Sequence, residues 1–391
     1  MTIIHLNQKT THRCDRGHPW IYSSEIARTD GPLASGDEVA VVDARGRPVG
    51  RGYFSATSKI AVRLLTRGDE ALDATFLRRR LTAAIAHRDR VLPGRLCRRL
   101  VSSEGDQLPG LIVDRYHDVL AVQCTTAGMD QRQHVIVELL KELCSPTTIV
   151  ERNDVSARRF EGLPERTGIL HGNAPGTFRA RFGKADFPCD VLDPHKTGAY
   201  LDQQLNWEIV AALARPGTVM LDACCHLGGF AIHALQAGAA RAVAIDSAAD
   251  AIAGAKQAAI WMGAEDRLDA RVGNVFDVLP ELERSNAHFD LIVLDPPSFT
   301  KTKDTVEGAM RGYKELHVRA LRMLDIGGRL ATFTCSHHVD AGIFLNNLLD
   351  AAVDTRRTLR LDARLSASPD HPLLPAIPES EYLKGFVVTA L

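Results

Sequence analysis

The sequence predicts an α/β protein with a small β-barrel at its N-terminus, a mixed α+β middle region and a C-terminal parallel sheet covered by helices. Three observations support this prediction. The chain has 391 residues, which suits two or three domains. Short strand-like segments separated by turns fill residues 1–74, and strand-like and helix-like segments alternate from about residue 189 onward. The predicted domains are therefore 1–74, 75–188 and 189–391.

The composition excludes several classes of protein. Hydrophobic residues make up 45% of the chain and charged residues 24%, as in globular proteins rather than disordered or collagen-like ones. No window approaches the roughly 18 consecutive apolar residues of a membrane span, and Met1–Thr11 lacks the apolar core of a secretory signal. The eight cysteines contain no C-x-x-C pair and no zinc-site spacing with histidine. We expect no membrane segment, no metal, and a reduced, cytoplasmic location with free thiols.

Charge is distributed unevenly along the chain. The net charge is −1, yet residues 1–110 carry 18 Lys and Arg against 12 Asp and Glu. Most of this excess lies in residues 75–110, which contain eight arginines and three acidic residues. Such asymmetry indicates a basic surface with an anionic partner. An exposed arginine-rich helix without a partner is the alternative.

Residues 1–74 are predicted to form short strands joined by turns. Glu38–Asp43 and Lys59–Leu65 alternate or run apolar, while Gly31-Pro32, Gly36-Asp37 and Arg45-Gly46 mark turns. Strands of this size with frequent turns are typical of a small barrel.

Residues 75–188 mix helices and strands. Ala74–Arg90 places Leu77 and Leu81 on one face and arginines on the other, which predicts a helix. The other predicted elements are strands at Gly110–Asp114, Val119–Gln123 and Thr148–Glu151, a helix at Gln133–Leu143, and loops and hairpins over residues 161–188.

From about residue 189, strands and helices alternate. The predicted strands are Thr218–Ala223, Ala242–Asp246, Leu268–Val272, Leu291–Asp295 and Arg329–Thr334, and the predicted helices include Gly229–Ala237, Ser247–Met262 and Gly308–Leu324. This alternation is typical of a parallel sheet with right-handed crossovers and helices on both faces. Ligands of such folds bind at the carboxyl ends of the strands.

The first three of these strands end in residues that suit an adenosine-containing ligand. Asp222 ends the first strand and is followed by Gly228-Gly229, where a ligand can approach the backbone closely. Asp246 ends the second strand and can accept hydrogen bonds from two ribose hydroxyls, and Asn274 follows the third. The dinucleotide pattern G-x-G-x-x-G is absent, which disfavours NAD. The loop suits a ligand with a sulfonium group and an amino-acid tail.

The fourth and fifth strands end in candidate catalytic residues. Asp295 precedes two prolines, which form a stiff loop and hold the carboxyl group in place. Cys335 follows the fifth strand, where a thiol can act as a nucleophile, although a buried structural cysteine is the alternative. His337-His338 come next, but adjacent histidines point apart and no third ligand is near in sequence, so no metal site is predicted.

These residues, in this order, resemble class I S-adenosylmethionine-dependent methyltransferases, and more narrowly the bacterial rRNA large-subunit 5-methylcytosine methyltransferases. The resemblance covers the whole chain. Gly17–Tyr22 and Gly36-Asp37 resemble the start of that family's RNA-binding PUA domain. Further motifs that resemble the family are Glu104–Tyr116, Glu151–Asp154, Lys196–Gly198, Leu201–Gln203, Arg311–Lys314 and Tyr382–Gly385.

The resemblance implies a Rossmann-like methyltransferase sheet and a role for each motif. Cys335 would attack cytosine C6 and so make C5 nucleophilic towards a methyl group, while Asp295 would stabilise charge that develops at N3. The residues expected to bind S-adenosylmethionine are Asp222, Cys225, Gly228, Gly229, Phe230, Asp246, Asn274, Asp295, Lys196 and Asp202. Those expected to bind large-subunit rRNA are Arg78, Arg79 and Arg80 of the basic stretch together with Arg311 and Lys314. The target base must leave any helix to be reached, so we expect it to be flipped out or single-stranded.

Some positions depart from the family pattern. His195 stands where Gln is usual, His226-Leu227 where an aromatic-Thr pair is usual, and Asn274 where Asp is frequent. An Asn amide oxygen can still accept a hydrogen bond from the adenine amino group. Ser298 stands where many RNA cytosine methyltransferases have a second cysteine, so no base for the C5 proton is assigned.

Three other functions are alternatives. An rRNA guanine N7 or N2 methyltransferase shares the Asp-Pro-Pro motif but needs no nucleophile, so Cys335 favours cytosine. A small-molecule methyltransferase would explain neither the basic stretch nor the PUA-like start. A catalytically silent RNA-binding protein of the same fold is disfavoured by five intact residues, which are Asp222, Gly228, Asp246, Asp295 and Cys335. The sequence determines neither the target nucleotide nor the oligomeric state, and a homodimer is left open.

Overall fold

The computed structural model describes residues 1–8, 11–192, 199–300 and 305–391. Two compact units are formed. The first comprises Met1–Phe178, Cys189–Ala199 and Pro369–Ser380, and the second comprises Arg179–Pro188, Tyr200–Ser368 and Glu381–Leu391. No helix in the described part of the chain has both the length and the apolar character needed to cross a membrane. The domain boundaries expected after residues 74 and 188 stay a prediction.

The N-terminal part of the first unit is a six-stranded sheet. Its elements are β1 (Thr2–Leu6), α1 (Thr11–Asp15), β2 (Trp20–Tyr22), β3 (Ile26–Thr29), β4 (Glu38–Val42), β5 (Pro48–Phe54) and β6 (Ile60–Thr66). The order is β2-β6-β5-β4-β1-β3, with β1 and β4 parallel and the other neighbours antiparallel. Side chains alternate between the two faces of each strand, which buries Ile4, Val39, Val41 and Val62 in one core.

A five-stranded sheet with three helices completes most of the first unit. Its elements are α2 (Ala74–Val91), β7 (Cys97–Ser102), β8 (Leu111–Tyr116), β9 (Val119–Cys124), α3 (Ala127–Gln131), α4 (Gln133–Cys144), β10 (Thr148–Asn153) and β11 (Arg166–His171), with the strand order β11-β10-β9-β8-β7. Asp73 caps α2 by accepting a hydrogen bond from the Phe76 amide at 2.9 Å. The apolar face of α2 packs with α4 over the sheet, and Leu77, Leu81 and Leu140 are buried there. Sequence analysis missed β7, because its two consecutive arginines belong to the basic stretch.

The second unit begins with a hairpin and a helix that pack through aromatic rings. They are β12 (Phe178–Phe182), β13 (Ala185–Cys189) and α5 (Gln204–Ala211). Phe182 and Phe187 each lie 5.9 Å from the Trp207 ring, measured between ring centres. The hairpin lies within the region where the sequence predicts loops and hairpins.

The rest of the second unit is a seven-stranded sheet with helices between its strands. Its elements are β14 (Val219–Ala223), α6 (Gly229–Gln236), β15 (Arg241–Asp246), α7 (Ala249–Met262), β16 (Leu268–Val272), α8 (Val275–Arg284), β17 (Phe289–Leu294), α9 (Val306–Met323), β18 (Leu324–Thr334), α10 (Ala341–Asp354), β19 (Leu359–Ser366) and β20 (Lys384–Ala390). The order is β16-β15-β14-β17-β18-β20-β19, where β14 to β18 run parallel and β20 runs antiparallel to both of its neighbours. All five predicted strands are present, and β19 and β20 are additions to the predicted sheet.

This order creates a switch point in the sheet. From β14 the chain adds β15 and β16 on one side and then returns to place β17 on the other. Ligands of open α/β sheets bind at the carboxyl ends of the strands on either side of such a point. Asp222, Asp246 and Asp295 lie at or directly after these ends.

Candidate functional site

Asp222 lies at the carboxyl end of β14 and is fully buried. Its Oδ2 atom accepts a hydrogen bond from the Ala231 amide in the first turn of α6 at 2.9 Å. Its Oδ1 atom has no hydrogen-bond partner among the described residues. Burial raises the pKa of this carboxyl group to about 7, because an ionised carboxylate is poorly solvated there. A buried acceptor without a donor is costly unless a ligand satisfies it.

The loop between β14 and α6 has an unusual backbone. Cys224, His226 and Gly228 all have positive φ angles, of 62°, 51° and 75°, and the Gly228 amide donates to the Cys225 carbonyl at 2.8 Å. A Cβ atom on Gly229 would lie 2.4 Å from the Trp207 ring, so only glycine fits where α6 approaches α5. The loop therefore depends on the Gly228-Gly229 pair that the sequence singled out.

Two further predicted cofactor residues on this loop are buried by packing. Phe230 is 3% exposed, and its ring centre lies 5.3 Å from that of Phe333. Cys225 is 5% exposed, and its thiol donates to the His226 carbonyl at 3.5 Å. Both side chains therefore support the loop from the interior of the protein.

Asp246 connects the end of β15 to the same loop. Its Oδ2 atom accepts a hydrogen bond from the His226 amide at 2.8 Å, and its Oδ1 atom accepts one from the Ala248 amide at 2.9 Å. The carboxylate is partly exposed. Each oxygen keeps a free lone pair, so Asp246 can still accept hydrogen bonds from a ligand.

Asn274 lies after β16 and caps α8. Its Oδ1 atom accepts a hydrogen bond from the Phe276 amide at 3.0 Å, and the residue is exposed. The capping role accounts for an Asn at this position without any ligand. The second lone pair of the oxygen and the amide N–H groups stay available.

Asp295 lies after β17 among other polar groups. Its Oδ2 atom accepts a hydrogen bond from Gln203 Nε2 at 2.9 Å. The nearby Asp202 carboxylate accepts a hydrogen bond from the Tyr382 hydroxyl at 2.7 Å. Burial, followed by repulsion from Asp202, raises the pKa of Asp295 to about 8. Asp295 is therefore largely protonated at pH 7, and it can donate a hydrogen bond as well as accept one.

Cys335 follows β18 and shares this environment. The residue is partly exposed. Burial, followed by the negative charges that Asp295 and Asp202 carry when they are ionised, raises the pKa of its thiol to about 11. The Ser298 backbone opposes this rise by hydrogen bonding to the sulfur. The structure thus brings both predicted catalytic residues together, at the ends of the paired strands β17 and β18.

Sequence analysis assigned no role to four other residues of this cluster. Gln203 binds Asp295, Tyr382 binds Asp202, Lys384 is buried beside the residues that follow β18, and the pKa of Tyr200 is raised to about 12 by burial and then by the charges of Asp295 and Asp202. Three of the four stand in motifs shared with the resembling family, which was the signal that could have identified them.

The residues predicted to bind RNA are mostly occupied by neighbouring acids. Arg78 pairs with Glu142 and Arg79 with Glu70, and the part-buried Arg80 donates to the Leu65 carbonyl at 3.3 Å. Arg311 pairs with Glu307 at 2.9 Å and Lys314 with Asp354 at 2.9 Å.

The remaining predictions on the site concern a cofactor residue and metals. Lys196 lies outside the described residues. Within the described ranges, no three His, Cys, Asp or Glu side chains are grouped so that they could hold a metal ion.

Comparison with known families gives two matches. Residues 4–67 match the family described as PUA-like domain. Residues 169–384, more than half of the chain, match the family described as S-adenosylmethionine-dependent methyltransferase.

Curated relatives match along almost the whole chain. A protein of Tolumonas auensis is 37% identical over 398 residues, which cover 100% of both chains, and one of Aeromonas hydrophila is 38% identical over 96% of both. Both are named ribosomal RNA large subunit methyltransferase I. Among solved structures, a methyltransferase complexed with SAH superimposes with a TM-score of 0.86 at 19% identity and 100% coverage of both chains. A methyltransferase from Streptococcus mutans superimposes with a TM-score of 0.82 at 18% identity, again with 100% coverage of both. These two structures share the fold.

Proposed function

The chain belongs to the S-adenosylmethionine-dependent methyltransferase family, and from this membership we propose that it methylates C5 of a cytosine in large-subunit rRNA through a covalent bond between Cys335 and C6. Its cofactor is S-adenosylmethionine, and its full-length relatives are named as large-subunit rRNA methyltransferases. One observation gives the main support for the proposal that the substrate is cytosine. Cys335 and a largely protonated Asp295 lie together at the ends of adjacent strands.

Asp222, Asp246 and Asn274 are the residues that would hold the cofactor. The unsatisfied Oδ1 atom of Asp222 suits the cationic amino group of the methionine part. The free lone pairs of Asp246 suit the two ribose hydroxyls, and Asn274 suits the adenine amino group. When bound, S-adenosylmethionine supplies an electrophilic methyl group.

Asp295 would activate the cytosine ring. Its raised pKa keeps it protonated near neutral pH, so it can donate a hydrogen bond to cytosine N3, which is an acceptor. Gln203 fixes the orientation of the carboxyl group from the other side. A carboxyl group kept neutral by its surroundings in this way stabilises negative charge that develops on the substrate.

Cys335 would act as the nucleophile. Its sulfur forms a bond to C6 as a thiolate, which saturates the C5=C6 double bond and places electron density at C5. After C5 has been methylated and has lost its proton, the bond between sulfur and C6 breaks and the thiolate leaves. A neutral Asp295 favours the first step, because it removes one negative charge from beside the sulfur.

RNA binding is proposed for residues 1–110. Support comes from a cavity of about 260 Å³ within the first unit, lined by Pro19, Leu65, Arg67, Glu104 and seven other residues. A lining that combines apolar side chains with a few charged ones is suited to an unstacked base. Arg16 and Arg67 are exposed and form no ion pair with the described residues, so neither has to leave an acid before it binds a phosphate. Arg67 also donates a hydrogen bond to the Cys14 carbonyl.

We further propose that the enzyme works in the cytoplasm. All eight cysteines are free, as expected of a reducing compartment. A homodimer remains a prediction, which sedimentation velocity of the purified chain would test.

The decisive experiment compares wild type with Cys335→Ala on rRNA from a strain that lacks the gene. We expect bisulfite sequencing to find one new 5-methylcytosine with the wild type. The variant should lose at least about 10³-fold in methyl transfer, the scale for removing a covalent nucleophile. A trapped complex with RNA that carries 5-fluorocytosine should form with wild type only, because fluorine cannot leave as a cation.

Cofactor affinity separates loss of chemistry from loss of folding. Cys335→Ala should bind S-adenosylmethionine as the wild type does, since the thiol is not among the residues proposed to hold it. Activity within about tenfold of wild type would refute the nucleophile and favour guanine methylation.

A further inference from the structure

Lys384 is a buried lysine next to the proposed nucleophile. It opens β20 and pairs in register with Thr334, the last residue of β18. Its exposed fraction is 5%. The Nζ atom donates to the Ser336 carbonyl at 2.8 Å and to the Glu381 carbonyl at 3.2 Å. The ammonium group is thus held against Ser336, the residue after Cys335, while the Lys384 backbone lies beside Thr334, the residue before it.

The ammonium group has no carboxylate partner within ion-pair distance in the described part of the chain, and its hydrogen bonds go to two backbone carbonyls. Lysine is rarely buried unless it is paired, because removing its charge from water is unfavourable. Two carbonyl groups compensate only in part, and a neutral donor could satisfy them equally well. These two hydrogen bonds therefore do not explain why the buried donor at this position is charged.

The groups around Cys335 and Lys384 supply a reason for this charge. The sulfur interacts with Asp295, which follows β17, and with Asp202, which precedes α5. It also interacts with Tyr200, which precedes α5, and with Tyr313 of α9. All four of these groups become negative when they ionise, so they disfavour a thiolate. Glu381, Asp340 and Cys335 interact with Lys384. A positive charge at Lys384 offsets the acidic surroundings of the sulfur.

We propose that Lys384 is a positioning residue whose fixed positive charge stabilises the thiolate of Cys335. This inference rests on the proposed function, in which Cys335 is the nucleophile. The thiol proton leaves to solvent through the exposed part of the residue, Lys384 keeps its own proton, and the sulfur lone pair forms the bond to C6. Burial lowers the pKa of Lys384, and the charges of Glu381, Cys335 and Asp340 oppose this fall in part. The attraction between the thiolate and the ammonium group acts on both, so each stabilises the charged form of the other.

The test measures the reactivity of Cys335 without RNA or cofactor. Each protein is alkylated with iodoacetamide at several pH values between 6.5 and 10, below the raised pKa of the thiol, and modification of Cys335 is followed by peptide mass spectrometry. Lys384→Met should lower the rate of Cys335 modification about tenfold at pH 8, which corresponds to a rise of the thiol pKa by about one unit, the smaller end of shifts caused by a nearby opposite charge. Lys384→Arg should restore most of the rate, because it keeps the charge.

Two further variants separate charge from structure. Lys384→Gln keeps an N–H donor for the Ser336 and Glu381 carbonyls but loses the charge, so it should behave like Lys384→Met. Lys256→Met makes the same substitution at an exposed lysine of α7 and should leave the profile unchanged. The partly buried Cys144 of the first unit serves as an internal standard, and its rate should be equal in all proteins.

The outcomes distinguish this inference from the proposed function. Profiles that overlap for wild type, Lys384→Gln and Lys384→Met would refute the role of Lys384, even if Cys335→Ala is inactive. An active Cys335→Ala enzyme would instead refute the proposed function, whatever the alkylation profile. If Lys384→Met does not fold, Lys384→Gln and Lys384→Arg alone decide, because they differ in charge at the same position.

Discussion

The carboxyl edge of the parallel sheet and the stretch at residues 75–110 are both rich in ionisable side chains, but the fold treats them in opposite ways. At the sheet edge, Asp295 and Cys335 lie close together, and burial with like charge disfavours their ionised forms. In the stretch, Arg88 and Arg98 are buried and paired with acids. The first region leaves its acids without an ion-pair partner among the described residues, whereas the second neutralises its charges within the fold.

This difference shows what a charged residue contributes in each setting. A group without a counter-charge has a shifted pKa and can exchange a proton with a substrate. A paired and buried group instead holds distant segments together. The guanidinium of Arg88, for example, pairs with Asp106 and donates to the Asp370 carbonyl at 2.8 Å. Charge counting along a sequence cannot separate the two cases.

The largest expected effect tests the structural role of the stretch. Arg88 is fully buried, pairs with Asp106 and donates to the Asp370 carbonyl at 2.8 Å. Arg88→Ala should lower the free energy of unfolding by about 3–5 kcal/mol, because it leaves the buried carboxylate of Asp106 without its charged partner. Denaturant unfolding measures this change. Arg90→Ala, at an exposed position two residues away, should change stability by no more than about 0.5 kcal/mol, and equal effects would contradict the distinction.

The second prediction tests whether the sheet edge trades stability for function. Asp295→Asn keeps the size and shape of the side chain and can still donate a hydrogen bond to N3, but an amide is a much weaker acid than a carboxyl group and stabilises less of the charge that develops there. We expect methyl transfer to fall by about 10²–10³-fold, the scale for one group that stabilises developing charge. Single-turnover rates at saturating RNA and cofactor measure this loss, and normal rates would remove Asp295 from the mechanism.

The same variant should become relatively more stable as the pH rises. The pKa of Asp295 is raised from 3.8 to about 8 in the folded chain, so its contribution to stability is complete below pH 4 and is lost as the pH rises towards 8. Asn has no such loss. Melting temperatures should therefore favour Asp295→Asn over wild type more strongly at pH 8.5 than at pH 5.5, and an equal difference at both values would mean that the carboxyl group is already ionised at pH 5.5.

Most of the residues at the carboxyl edge of the sheet could be predicted from the sequence, because the topology of a parallel sheet fixes their positions. Alternating strands and helices predict a parallel sheet, and that sheet brings Asp222, Asp246 and Asp295 to one edge. The hydrogen bonds to these carboxyl groups could not be predicted from the sequence, since Gln203 binds a residue 92 positions away and Tyr382 binds one 180 positions away. No local pattern encodes such pairs. The ion pairs of the basic stretch escaped prediction for the same reason.

The third prediction concerns the loop that Asp246 holds. Asp246→Ala should weaken S-adenosylmethionine binding by about 1.5–3 kcal/mol, because it removes acceptors for the ribose hydroxyls and for the His226 amide. Isothermal titration calorimetry measures this change. The control is Asp250→Ala at an exposed position in the first turn of α7, which should bind the cofactor normally. If both variants bind equally well, the cofactor does not use the end of β15.

The smallest expected effect returns to the arginines and RNA. Sequence analysis predicts that replacing Arg78, Arg79 and Arg80 with Ala lowers RNA affinity and its salt dependence. Each of the first two must leave an ion pair before it can bind a phosphate, so part of the gain is lost. We therefore expect the double variant Arg78→Ala/Arg79→Ala to change affinity less than Arg16→Ala/Arg67→Ala, whose side chains are exposed without ion pairs among the described residues.

Salt titrations make this comparison quantitative. Each phosphate contact that is removed reduces the slope of log affinity against log salt concentration by about 0.7–0.9. Losing Arg16 and Arg67 should therefore reduce the slope by roughly 1–2, while losing Arg78 and Arg79 should reduce it by less than 1. Cofactor affinity should stay constant in both variants, since all four residues belong to the first unit. A larger slope change for the paired arginines would mean that RNA displaces their acidic partners, and the stretch at residues 75–110 would then be the RNA-binding surface that its composition predicts.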